Sequence, residues 1–188
     1  MTSSASVGDR ERLRLFLALR LPDDAVRALV RWQRDDLGAP AGVRIVPEEN
    51  LHVTVAFLGS RPAGELESIV AALREAAAEE VERPVLTPLR YRETRSVGML
   101  VCEDDEARAT RFAENVHERL RRLGVYEPEK RQWLPHLTVV RFRRRPRLNP
   151  PIPDLGPVTM SESAVMHSVL RPSGAQYEVM ESVLLGGG

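Results

Sequence analysis

The feature that most constrains this chain is a short run that occurs twice. Pro47-Glu-Glu-Asn-Leu-His-Val-Thr-Val-Ala-Phe-Leu-Gly59 and Gln132-Trp-Leu-Pro-His-Leu-Thr-Val-Val-Arg141 both read His-x-Thr-Val inside a brief apolar stretch, just after proline or turn-forming residues. Read as strands, they place successive side chains on alternate faces. His52 and Thr54 then share one face of the first strand, and His136 and Thr138 share one face of the second. Two imidazoles, each with a hydroxyl two residues on, can face each other across a cleft.

The rest of the chain arranges itself around these runs. Arg12 to Leu21 alternates as a strand, with Leu13, Leu15, Leu17, Leu19 and Leu21 on the packed face. Arg12, Arg14, Phe16, Ala18 and Arg20 make its more polar face. Pro22-Asp23-Asp24 opens a helix with an Asp as N-cap, carrying Val26, Leu29, Val30 and Leu37 along one side. Val43 to Val46 is a short strand leading into the first histidine run. A second helix starts at Arg61-Pro62, with Leu66, Ile69, Val70, Leu73, Ala76 and Ala77 in its stripe. Val85 to Arg92 and Val97 to Cys102 read as paired strands, and a third helix begins near Asp105 and is capped by Gly124. A proline-rich loop, Arg145 to Pro157, follows the second histidine run, and two strands near Ser161 to Leu170 and Gln176 to Leu185 close the chain. The pattern predicts an α+β fold: two mainly antiparallel sheets with helices packed outside. Residues 1–10 are expected to form a disordered tail, 11–185 one domain, and 186–188 a frayed end.

Charge argues little, because 27 Lys and Arg balance 27 Asp and Glu. Any phosphate-binding surface must come from where arginines are placed. The lone cysteine, Cys102, fits a reducing compartment and reads as core. The start lacks a secretory apolar segment and no run is long enough to span a membrane. The expectation is a cytoplasmic protein with no membrane partner.

Two histidines without a carboxylate suit phosphodiester cleavage by acid–base catalysis. An imidazole titrates near about 6.5, so one ring can be neutral while the other is protonated. One takes a proton from water and the other gives one to the departing oxygen. Thr54 and Thr138 can donate to non-bridging phosphate oxygens. Neither run contains Asp or Glu, and no His-x-x-x-His or Cys-x-x-Cys spacing occurs, which disfavours a catalytic metal.

The paired motifs resemble the signature of the 2H phosphoesterases, and the wider pattern is similar to the RNA 2',3'-cyclic phosphodiesterases, also called 2'-5' RNA ligases. The likeness runs through Arg14-Leu-Phe-Leu-Ala-Leu-Arg-Leu-Pro22, Asn50 to Gly59, Pro135 to Arg141, and Ser168 to Tyr177. Phe-Leu-Gly after the first motif and Arg141 after the second point to this family within the superfamily. The resemblance implies a bilobal, pseudo-symmetric fold whose motifs face each other across a central cleft. It implies hydrolysis of a terminal 2',3'-cyclic phosphate to a 2'-phosphate without metal or cofactor, with weak reversible 2'-5' ligation. His52 would be the acid and His136 the base, Thr54 and Thr138 would bind phosphate, and Arg141 would assist. The implied substrates are RNA with 2',3'-cyclic phosphate ends, tRNA fragments among them, or nucleoside 2',3'-cyclic phosphates, acted on by a monomer. Two alternatives stand beside this: a 2H enzyme for 2'-5' linked oligonucleotides or small cyclic nucleotides, and an RNA-binding module without catalysis.

Strict alternation sets Arg141 on the face opposite His136 unless the strand bulges near Val140. It likewise sets Phe57 opposite His52. Phe57, Trp133 and Tyr126 are candidates for stacking on a base, Phe57 and Trp133 also being ordinary core aromatics. Arg141-Phe-Arg-Arg-Arg-Pro-Arg147 is the densest basic run, readable as an RNA-backbone contact or as a solvated turn balanced by acids such as Glu103 to Glu106. His117 and His167 read as structural or exposed.

Overall fold

The computed structural model describes residues 11–172 and 174–186. The tail expected over 1–10 and the end of the C-terminal segment, 187–188, lie outside the described residues. Gly186 is described and packs against Arg83, whose Nε–H donates to the Leu185 carbonyl at 3.0 Å.

The elements in order are β1 (Arg12–Arg20), α1 (Asp23–Asp35), β2 (Val43–Ile45), β3 (His52–Pro62), α2 (Leu66–Ala78), β4 (Val85–Glu93), β5 (Val97–Asp104), α3 (Arg108–Arg122), β6 (His136–Phe142), β7 (Val158–Thr159), β8 (Glu162–Arg171) and β9 (Gly174–Leu184). Short 3-10 turns precede β3, α2 and α3. The α+β expectation holds, with every strand pairing antiparallel. The two expected sheets are hydrogen-bonded into one, in the order β7-β4-β5-β6-β3-β1-β8-β9, with β2 also on β6. The seam is narrow: β3 and β6 share the single register pair Val53↔Leu137. A two-residue strand, β7, fills the gap between the expected proline-rich loop and the next expected strand, because Val158 and Met160 are buried there beside β4.

The main core lies between one face of this sheet and the three helices. Leu15, Leu17 and Leu19 from β1, Leu29 and Trp32 from α1, Ile69 and Leu73 from α2, and Phe112, Val116 and Leu120 from α3 are all within it. Each helix buries a stripe at the 3.6-residue period. Pro22 rather than an Asp is the N-cap of α1, and Asp24 caps only the next backbone N–H, that of Ala25. Gly124, at φ 71°, takes the left-handed turn after α3 that a side chain would strain. The opposite face of β1 is not polar throughout: Phe16 and Ala18 are buried with Ala164 and Met166 in a second, smaller cluster covered by Tyr177. No helix among the described residues is long and apolar enough to cross a membrane.

Candidate active site

The two histidine runs meet at the seam. Val53 and Leu137 point into the core, 0% and 2% exposed, so their neighbours on either side point to the other face. Antiparallel pairing at Val53↔Leu137 then sets His52 beside Thr138 and His136 beside Thr54. The four side chains form a group with approximate two-fold symmetry about that one residue pair.

Both imidazoles are held the same way. His52 Nδ1–H donates to the Asn50 carbonyl at 2.8 Å, and His136 Nδ1–H donates to the Leu134 carbonyl at 2.8 Å. A carbonyl can only accept, so the proton of each neutral ring is on Nδ1 and Nε2 is left for chemistry. His52 Nε2 accepts from the Thr54 hydroxyl at 3.0 Å. The His52 ring lies 5.0 Å from that of Phe16 and 5.4 Å from that of Tyr177. Burial in this aromatic setting pushes its pKa down to about 4, against the Asn50 hydrogen bond, and the positive charge of Arg141 and His136 adds to the fall.

Two bulges decide what else shares the site. On β3, Ala18 pairs with Thr54 and Leu17 with Ala56, so Val55 is an extra residue; Leu58 is another. On β6, Met99 pairs with Thr138 and Gly98 with Val140, so Val139 is extra. Each extra residue flips the alternation. Phe57 therefore shares the face of His52 and Thr54, contrary to the simple alternating pattern, and its ring lies 5.9 Å from that of Phe16. Arg141 likewise shares the face of His136 and Thr138, through the bulge that its placement required. Phe57 and Arg141 occupy matching positions in the two halves.

The bulges are held from the helix side. His117 of α3 lies 2.7 Å through Nε2 from the Val55 carbonyl, to which it donates, while its ring stacks on Tyr126 at 4.7 Å. The Val139 carbonyl accepts from the buried Gln33 amide of α1 at 3.1 Å and from the Val46 N–H at 2.9 Å. A carbonyl displaced from the ladder by a bulge needs such a partner. Trp133 donates its indole N–H to the Thr54 carbonyl at 3.0 Å and packs on the core, so it braces the first histidine strand. His117 and Tyr126 thus form part of the scaffold behind the site, and His167 lies 3.6 Å from Glu178 on the C-terminal hairpin.

Sequence reasoning missed Phe16, Tyr177, Asn50 and Gln33 as parts of this assembly. Phe16 was visible as the one large apolar residue on the polar face of β1. Gln33 had no local signal and Tyr177 only its place at the end of the Ser168 to Tyr177 likeness, since both arrive through pairing and packing.

Electrostatically the open face is divided. Arg20, cross-strand from His52, is neutralised by Glu162 at 3.0 and 3.1 Å. Arg145 is tied to buried Glu93 at 3.1 Å, and Glu93 also accepts from the backbone N–H groups of Arg147 and Leu148. Glu93, rather than Glu103 to Glu106, is the acid that meets the basic run. Arg141 has no carboxylate partner among the described residues. No group of three or more His, Cys, Asp or Glu among the described residues is arranged to hold a metal ion. Cys102 is buried, which pushes its thiol up to about 12, and it takes no part.

Comparison with known proteins agrees with this arrangement. Residues 19–86 match the family model described as LigT like Phosphoesterase. The RNA 2',3'-cyclic phosphodiesterase of Archaeoglobus fulgidus is 28% identical, over 88% of this chain and 97% of that protein. A Thermus thermophilus protein of known crystal structure superposes with a TM-score of 0.78 at 29% identity, covering 93% of this chain and 99% of that one. Escherichia coli LigT has the same fold, with a TM-score of 0.78 at 21% identity over 94% of this chain and 99% of its own. In motifs, fold and relatives the chain is similar to the LigT-like phosphoesterases.

Proposed function

We propose that this protein is a 2H phosphoesterase, a metal-independent RNA 2',3'-cyclic phosphodiesterase that leaves a 2'-phosphate. The observation that carries this is the two-fold group at Val53↔Leu137, which offers two Nε2 atoms, two hydroxyls and an uncompensated arginine to one face. A phosphate seated between Thr54, Thr138 and Arg141 would have a ring on either side. His136 takes a proton from water as the water oxygen bonds to phosphorus. The bond from phosphorus to the 3'-oxygen breaks, and His52 delivers a proton to that oxygen. The products are a 2'-phosphate and a 3'-hydroxyl. Threonine hydroxyls and the guanidinium meet the charge that grows on the non-bridging oxygens.

His52 is neutral in the ligand-free protein at pH 7, so its donor role requires it to take up a proton as the anionic phosphate binds. A negative charge beside the ring favours that. Phe57 and Tyr177 give the cleft an aromatic wall on the His52 side, suited to a nucleobase, and Arg141 a cationic wall on the other. With the 5'-hydroxyl of a second RNA in place of water, the same groups would form a 2'-5' linkage, slowly.

The test is an RNA oligonucleotide ending in a 2',3'-cyclic phosphate, incubated in excess EDTA, with products separated against 2'- and 3'-phosphate standards. A 2'-phosphate product is expected, and His52→Ala or His136→Ala should each lower the rate by about 10²–10⁴-fold. Turnover surviving either substitution would sink the two-histidine reading. Turnover only of 2'-5' linked oligonucleotides or 3',5'-cyclic nucleotides would replace the substrate.

A further inference from the structure

A cavity lies beside the histidines rather than on them. It holds about 940 Å³ and is lined by Pro40 to Arg44, Ser96 and residues 141–146. Arg44, Arg141, Arg143, Arg144 and Arg145 contribute to its wall, and no Asp or Glu does. Among the described residues only Arg145 of these has an acidic partner, Glu93, which also fixes the loop backbone. The other four line the same cavity without an acidic partner among the described residues.

Their placement is not that of an ordinary solvated turn. Arg44 on β2 is the direct cross-strand partner of Arg141 on β6. Opposed like charges destabilise a sheet, and such breaches of a local rule are kept where a ligand relieves them. Arg20, by contrast, stands on the same sheet with Glu162 across from it. Arg44 also reaches toward the β8–β9 hairpin, where Nη1 is 3.9 Å from the position a Cβ on Gly174 would take. The cationic strip therefore runs from Arg141, whose charge is felt at His52, past Arg44 to Arg143 and Arg144.

We propose that this cavity is a second anion subsite, binding the phosphodiester that joins the terminal nucleotide to the one before it. The inference rests on the cyclic phosphodiesterase reading of the neighbouring site and deepens it: the substrate is an oligonucleotide end rather than a free nucleoside cyclic phosphate. Arg141 spans both subsites. Arg44, Arg143 and Arg144 serve the second alone, and Ser96 lines the same cavity. Guanidinium forks suit phosphate oxygens in pairs.

The experiment compares two substrates, adenosine 2',3'-cyclic phosphate and a tetraribonucleotide with the same cyclic end, on wild type, Arg44→Ala and Arg143→Ala/Arg144→Ala. Arg27→Ala/Arg31→Ala, exposed on α1, removes equal charge elsewhere as a control. For the tetranucleotide, KM should rise about tenfold in the double variant while kcat holds, and the salt dependence should flatten by about 0.7 in log–log slope per lost contact. The nucleoside substrate should change less than twofold, the control variant should resemble wild type, and Arg→Lys at the same positions should restore the salt slope but only part of the KM. Equal losses on both substrates, or none on either, would overturn the subsite. Should the wild type open neither substrate, the activity reading fails on its own. Salt-dependent binding of an unmodified tetraribonucleotide then decides the subsite: weakened binding in the double variant but not in the control supports it, and unchanged or undetectable binding overturns it.

Discussion

The ring of His52 couples the site to the stability of the whole fold, and lowering pH tests that coupling. In the native state its pKa is pushed down to about 4, with desolvation against Phe16 and Tyr177 the leading cause. In an unfolded chain the same ring titrates near about 6.5. The unfolded state therefore binds a proton that the native state refuses, and stability falls as pH drops from about 6.5 toward 4. At about 1.36 kcal/mol per pKa unit, this one ring removes at most roughly 3 kcal/mol over that window. The stabilisation is fully present above pH 6.5. Urea unfolding of wild type and His52→Gln at a series of pH values between 7 and 4 measures it, because carboxylates common to both proteins cancel in the difference. The wild type should lose about 3 kcal/mol more than the variant between pH 7 and 4. Parallel curves would show that the ring is not desolvated and would remove the reason for its neutrality. Repeating the titration in saturating phosphate should shrink the wild-type loss, because a bound anion raises the native pKa toward its unfolded value.

Two further substitutions address the scaffold. His117→Phe keeps an aromatic ring on Tyr126 but removes the donor to the Val55 carbonyl. It should cost about 1–3 kcal/mol by leaving that group unpaired, and should lower kcat for the cyclic substrate; calorimetry and steady-state rates check both. Gly98→Ala would put a Cβ 2.1 Å from the Tyr91 hydroxyl oxygen and 2.6 Å from Val140 Cγ2, next to the β6 bulge. A loss of about 1–3 kcal/mol in urea midpoints is expected, and a wild-type midpoint would mean that Tyr91 does not cross this glycine.

Much of this protein is local enough to be read from the chain. The leucines of β1 alternate, the stripes of α2 and α3 recur at helical spacing, and Gly124 marks a helix end, because each follows from the period of one element. The identity of the four central site residues is local too, since His-x-Thr in a strand puts both side chains on one face. Alternation failed at Phe57 and Arg141, because an inserted residue just before each, Val55 or Val139, reverses the face of the positions that follow. Nothing in Val55 or Val139 announces the insertion. It exists because Gln33 and His117, from helices distant in sequence, satisfy the carbonyls that the bulges displace. The same holds for the electrostatics. The basic run is plain in the sequence, yet only folding pairs Arg145 with Glu93, sets Arg44 opposite Arg141, and closes Phe16 and Tyr177 around His52. Sequence supplied the candidate groups through short-range periodicity; strand register and burial, which depend on contacts between remote segments, determined which of them share a face and which carry charge.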